Sequence, residues 1–184
     1  MRKERTRVGK YKTIFQGVLF RVEQASVRHP DGARAIYERV VRIGTVSILA
    51  IDRKGRLLLL REYIDAEHGY RYVLPAGKLD KRGEPPATAA KRELREETGM
   101  TAKKLRLFSH TTTGRTLILP HYSFLATDLY PAPLISTDHE DITVMPTSLQ
   151  KAFKLALAGK IHYEVDSYLI MRLYLNRAKY LPKK

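Results

Sequence analysis

The chain has 184 residues, with 34 Lys and Arg against 19 Asp and Glu, a net charge of +15 and 43% hydrophobic residues. That composition supports one folded domain and argues against disorder over most of the length. With no cysteine, disulfides and thiolate metal sites are excluded and a reducing, cytoplasmic setting is expected. No apolar run reaches the length of a membrane span.

Residues 1–12 are basic and lack the apolar core of a signal peptide, so they read as a mobile arm. Residues 13–43 form a small antiparallel group of strands, from Ile14 to Ala25 and from Ile36 to Ile43, around the turn signal His29-Pro30-Asp31-Gly32. Residues 44–184 carry the rest of the fold. Thr45 to Ile51 and Leu57 to Leu60 flank Asp52-Arg53-Lys54-Gly55 and predict a central hairpin, buried on both faces. A loop and a helix follow, then strands over Leu105 to Thr111 and Tyr122 to Thr127. Ser148 to Ala158 spaces Leu149, Ala152, Phe153, Ala156 and Leu157 at helical intervals and stops at Gly159. A last helix spans about Val165 to Ala178, with Leu169, Ile170, Leu173 and Tyr174 inward. The order of elements is that of an α/β chain.

The segment from Leu74 to Met100 is the most informative. Pro85 and Pro86 suit the first turn of a helix, and Gly99 suits its left-handed C-terminal cap. Ala87, Ala90 and Leu94 would make a narrow apolar stripe, leaving an acidic face turned to a cleft. Glu93, Glu96 and Glu97 stand at i, i+3 and i+4 and are neighbours on that helix. At about 6 Å and an effective dielectric near 20, each pair repels by roughly 3 kcal/mol. A partly buried cluster of this kind needs cations, and a hard divalent ion holding a phosphate suits oxygen ligands.

Glu84, Arg92, Glu93, Leu94, Glu96, Glu97, Gly99 and Met100 match the Nudix box, G-x5-E-x7-R-E-U-x-E-E-x-G-U with U a bulky aliphatic residue. The chain is therefore identified as resembling the Nudix hydrolases. One departure is present: Gly77 lies one residue further from Glu84 than the pattern has it. Outside the box, Phe15 to Val22, Val27 to Gly32, Glu38 to Arg42, Leu74 to Asp80 and Thr137 to Ile142 are similar to the ADP-ribose and nucleoside-diphosphate-sugar pyrophosphatases. The resemblance implies an α/β/α sandwich with a mixed central sheet, plus the small N-terminal antiparallel sheet. It also implies a homodimer whose N-terminal strands exchange.

Carried over residue by residue, the resemblance implies Mg²⁺, with Mn²⁺ as alternative, held by Glu93, Glu97, Glu96 and the Ala76 carbonyl. Glu84 and Arg92 would brace loop against helix, and Gly77 and Gly99 would shape the box. Glu140, in the acidic loop Asp138-His139-Glu140-Asp141, is the candidate general base. Arg61 and Arg115 are candidate phosphate or sugar contacts, and Phe15 and Tyr63 candidate stacking partners for a base. The six histidines show no metal-ligand spacing. The expected reaction is metal-dependent hydrolysis of a nucleoside diphosphate sugar to a nucleoside monophosphate and a sugar phosphate. The alternatives are a pyrophosphohydrolase of nucleoside triphosphates or RNA 5′ ends, and a catalytically silent nucleotide-binding regulator. The positive charge also suits nucleic acid, but the basic residues are scattered along the sequence, which favours a nucleotide-sized ligand over a polymer.

Overall fold

A computed structural model describes residues 5–64, 68–134 and 141–181. Its strands are Arg7–Val8 (β1), Lys12–Gln16 (β2), Phe20–Arg28 (β3), Arg34–Arg42 (β4), Thr45–Ala50 (β5), Arg56–Ile64 (β6), Gly69–Val73 (β7) and Ala76–Lys78 (β8). The helix Pro86–Thr98 (α1) precedes Met100–Thr112 (β9), Leu117–Ile118 (β10), Pro120–Pro131 (β11) and Ile142–Ser148 (β12). Leu149–Leu157 (α2), Glu164–Leu175 (α3) and Arg177–Tyr180 (α4) close the chain. The chain divides into two compact units, Met1–Gly44 with Thr111–His121, and Thr45–His110 with Tyr122–Lys184.

The N-terminal unit is a sheet in the order β1-β3-β4-β10, with β2 also on β3. Its N-terminal strands pair antiparallel, and β10 joins β4 in parallel. Two expectations need correction here. Ile14 to Ala25 is not one strand, because the Gly17 amide donates to the Phe20 carbonyl at 2.9 Å and the chain turns between β2 and β3. Nor are residues 1–12 wholly a free arm, since Arg7 and Val8 pair with Arg28 and Val27.

The larger unit is layered. β5 is buried along nearly its whole length, and its side chains alternate between two cores. Val46, Ile48 and Ala50 meet Leu58, Phe124, Ala126 and the α1 residues Ala89, Ala90 and Leu94. Leu49 and Ile51 meet Leu57, Leu59, Leu125 and the helix residues Ala152, Ala156, Leu169, Ile170 and Leu173. Strands thus lie between α1 on one side and α2 with α3 on the other. These strands form two sheets, β8-β5-β11-β9 and β12-β6-β7. The predicted hairpin of β5 and β6 reduces to one bridge, Ile51 to Leu57, after which the strands join different sheets.

The helices fit their sequence signals with three differences. Ser148 caps α2 by accepting from the Lys151 amide at 3.2 Å. Leu157, expected in the core, is 63% exposed at the last position of α2. The final helix breaks at Asn176, whose backbone leaves helical geometry at φ −110° and ψ 21°, so α4 is separate. In α1, Ala89 is buried with Ala90 and Leu94, whereas Ala87 is exposed. At about 100° per residue, this rolls the helix so that Glu93 and Glu97 fall inside the arc between Ala89 and Leu94. The carboxylates share the buried side of α1 instead of standing opposite it.

Asp166, in the first turn of α3, is 2% exposed, and its Oδ2 accepts the Leu74 amide at 3.2 Å. Burial pushes its carboxyl up to about 7, against the partial opposition of that hydrogen bond. The folded state therefore binds this proton more tightly than the unfolded chain. Its contribution to stability is present below the ordinary carboxylate range and is lost as pH rises towards 7. Thermal unfolding of Asp166→Asn, which keeps an acceptor for Leu74, should depend less on pH between 5 and 8 than that of the parent. Parallel curves for the two proteins would contradict this.

Candidate active site

Two backbone features fix α1 against the sheet. Pro86 opens the helix after extended Pro85, and Gly99 closes it at φ 67° with its amide on the Arg95 carbonyl. The Arg95 side chain donates through Nε to the Ala132 carbonyl at 2.9 Å. Alongside, β8 pairs with the first residues of β5, Ala76 opposite Ser47 and Gly77 opposite Val46. The short strand β8 thereby lies directly against the acidic residues of α1.

The approach is close enough that a side chain at residue 77 would displace Glu93. A Cβ placed on Gly77 would lie 2.0 Å from both Cδ and Oε1 of Glu93. One residue earlier, the Ala76 amide donates to Glu97 Oε2 at 3.0 Å. The helix carboxylates are thus seated on the backbone of β8. The extra loop residue falls within 78–83, between this contact and the Glu84 pair with Arg92.

Arg92 organises the other side. Its Nε and Nη2 donate to the two oxygens of Glu84 at 3.2 and 3.0 Å, a two-pronged ion pair spanning loop and helix. Its Nη1 donates to Glu93 Oε1 at 2.7 Å and to Glu96 Oε2 at 3.0 Å. One guanidinium thus serves three carboxylates, and the Glu84 hydrogen bond is the main reason its proton is held above the ordinary arginine range. Burial nevertheless pushes the Glu93 carboxyl up to about 7, while Arg92 pulls the other way. Desolvation outweighs the adjacent guanidinium, so this site needs more positive charge than Arg92 supplies.

The donor types suit a hard divalent cation: Glu97 meets the Ala76 amide, while Glu93 and Glu96 share Arg92 Nη1. Among the described residues, no three His, Asp or Glu side chains already converge as an ion cage. Arg92 Nη1 stands between Glu93 and Glu96, so a cation bound by both competes with it while the Glu84 pair can persist.

The remaining predicted residues fall in three places. Arg61 and Tyr63 lie on β6, and the structure brings them together through a residue that sequence reading missed, Tyr70 on β7. Tyr63 and Tyr70 are cross-strand partners with ring centres 5.3 Å apart, and the Arg61 guanidinium lies 3.8 Å over Tyr70. The Tyr70 hydroxyl donates to Asp141, the last residue of the acidic loop. Alternation in Gly69-Tyr70-Arg71-Tyr72 is the signal that would have revealed this strand. Phe15 and Arg115 belong to the N-terminal unit: Phe15 is 52% exposed beside Phe20, and Arg115 lies 5.9 Å over Tyr37. Glu140 lies outside the described residues.

The NUDIX domain family profile matches residues 41–164, which includes every element of this carboxylate site. The chain belongs to the Nudix family. It is 32% identical over 169 residues to a Bacillus subtilis (strain 168) protein named ADP-ribose pyrophosphatase, covering 90% of each chain. A Mycobacterium tuberculosis protein of the same name is 32% identical over 158 residues, covering 82% of this chain and 74% of that one. Among solved structures, one described as an ADP compounds hydrolase superposes with a TM-score of 0.78 over 96% of this chain and 97% of that one; at 23% identity it shows a shared fold.

Gly77→Ala is the sharpest test of this Nudix site. Overpacking of that kind costs about 1–3 kcal/mol. The variant should fold with a lowered Tm and lose at least about tenfold in Mn²⁺ affinity measured by calorimetry. Unchanged Mn²⁺ binding would show that the Glu93 seat is not needed.

Proposed function

We propose that this chain hydrolyses the pyrophosphate bond of a nucleoside diphosphate sugar, ADP-ribose foremost, to a nucleoside monophosphate and a sugar phosphate. The observation that carries the reading is the desolvated Glu93, set between Gly77 and Arg92 beside Glu96 and Glu97. The two relatives named ADP-ribose pyrophosphatase, each aligned over most of this chain, support the substrate.

In this reading Glu93, Glu96, Glu97 and the Ala76 carbonyl hold Mg²⁺, or Mn²⁺ in its place. When bound, the ion neutralises charge on the phosphate oxygens and acidifies water. Arg92 and Glu84 keep α1 and the preceding loop in register. Glu140 takes the proton from the attacking water. Arg61 and Arg115 contact phosphate or sugar, and Phe15 and Tyr63 face the base. Glu93, whose carboxyl is pushed up by burial, is expected to be ionised when a cation arrives, since an oxygen ligand must be deprotonated. The protein works in the cytoplasm as a homodimer built on its N-terminal strands. Ile14, Phe15 and Val18 support that assembly, since they stand 54%, 52% and 96% exposed on that unit.

Five measurements test this reading. Hydrolysis of ADP-ribose should stop in EDTA and return with Mg²⁺, and mass spectrometry in heavy-oxygen water should find the label in one of two products, AMP or ribose phosphate. A panel in which only nucleoside triphosphates or 5′-triphosphate RNA ends are cleaved would overturn the substrate. Glu93→Gln should lower kcat by about a hundredfold or more, the scale of removing one essential electrostatic group. Glu140→Gln should do likewise with Mg²⁺ affinity intact, and near-normal turnover would remove it as base. Light scattering should give twice the chain mass, and Val18→Asp should give a monomer; a monomeric parent would refute the dimer.

A further inference from the structure

The N-terminal unit contains an arrangement that the hydrolase reading does not use. Residues 1–44 and 111–121 hold twelve Lys and Arg against four Asp and Glu, so fewer than a third of the residues carry more than half of the net charge of +15. Strand pairing concentrates part of this charge in one line. Arg7 on β1 is paired with Arg28 on β3, and Arg28 is paired with Arg34 on β4. Directly paired residues in an antiparallel sheet share a face, with Cβ atoms about 5 Å apart. Three exposed arginines therefore stand side by side across three adjacent strands.

Like charges placed directly opposite one another destabilise a sheet. Elsewhere in this unit the fold offsets that cost: Glu23 lies between Arg21 and Arg39 at 2.6 and 2.7 Å. Among the described residues, no acid forms an ion pair with Arg7, Arg28 or Arg34. Asp31, the acid of the adjoining turn, accepts the Ala33 amide instead. Two hollows flank the row, one of about 190 Å³ with Arg5, Arg7, Arg28 and His29 on its wall, and one of about 890 Å³ with Arg7, Arg28, Arg34 and Ile36. Among the described residues, no acidic side chain lines either.

We propose that this arginine row is a binding surface for the phosphate backbone of single-stranded nucleic acid, separate from the hydrolytic site. Arginine forks match phosphate oxygens, and exposed guanidiniums release bound counterions when they meet a polyanion. The spacing favours a strand over a compact oligophosphate. Arg7 and Arg34 stand about 10 Å apart across the sheet, with Arg28 between them. These cations are spread out to meet successive phosphates of a polymer, and the larger hollow stays open along the row. The sequence hides this arrangement because Arg7, Arg28 and Arg34 are far apart until β1, β3 and β4 pair.

The test is fluorescence anisotropy of the full-length chain with a labelled single-stranded RNA of about 15 nucleotides, in EDTA to prevent cleavage. Affinity should fall with salt at a log–log slope of about −2, as expected for three phosphate contacts at about −0.7 each. Arg28→Glu and Arg34→Glu should each weaken binding at least about tenfold and flatten the slope, while Arg28→Lys keeps most of the affinity. Lys103→Glu, the same charge reversal on exposed β9 of the other unit, should change affinity less than about twofold. ADP-ribose hydrolysis should be unaltered in all four variants. Without RNA, Arg28→Gln should raise Tm by relieving the repulsion. Equal losses in Lys103→Glu and Arg28→Glu would reduce the effect to net charge and overturn the proposal. It would also be overturned by inorganic triphosphate displacing RNA with the same Arg28 dependence, by undetectable RNA binding at low salt, or by a lowered Tm in Arg28→Gln.

Discussion

The site depends on one contact, the seating of Glu93 and Glu97 on the backbone of β8. Carboxylates are costly to take out of water, and this helix turns them towards its own buried arc. Ala89, Ala90 and Leu94 set that rotation because small side chains let α1 lie close to the sheet. Gly77 then makes room for Glu93, and the Ala76 amide supplies a hydrogen bond to Glu97. If α1 were rolled so that Ala87 was buried, the acids would move towards solvent and much of the desolvation would disappear. The electrostatics of the site therefore follow from core packing one turn away.

Arg92 explains how the fold tolerates this site. Its guanidinium spans Glu84, Glu93 and Glu96, so the repulsion among the acids is offset inside one network. The offset is incomplete, as the raised Glu93 carboxyl shows. This leaves carboxylate oxygens whose excess negative charge a divalent cation would relieve, as the proposed reading requires. A second buried acid, Asp166, binds the Leu74 amide just before β8 begins. Two carboxyls from two helices thus restrain the same short run of backbone, one at Leu74 and one at Ala76.

The box residues were legible in the sequence because helical spacing alone makes Glu93, Glu96 and Glu97 neighbours and puts Gly99 at the cap. The rotation of α1 was not legible, because Ala87, Ala89 and Ala90 are equally apolar and only the facing sheet chooses among them. Strands β7, β8 and β12 were missed for different reasons. β8 is three residues long with a glycine in it, β12 contains Pro146, and β7 has tyrosines on a partly exposed face. The β5–β6 hairpin was misjudged because a four-residue turn signal fixes a local reversal but not which sheet each strand joins. Tyr70 followed from the missed β7, since its link to Arg61 and Tyr63 exists only through strand register.

The charge pattern has the same origin. Counted along the sequence, the basic residues look evenly spread, and a solvated surface is the plain explanation. Pairing changes that, because β-sheet register brings residues 7, 28 and 34 into one row while it places Glu23 between Arg21 and Arg39. The same unit thus shows an offset cluster and an unbalanced one. Had solubility alone shaped this surface, scattered lysines would serve as well, with no repulsion between paired positions. Arginine at three cross-strand partners spends stability to keep a line of phosphate-matching donors, and among the described residues no acid on either wall competes with an anion for that line.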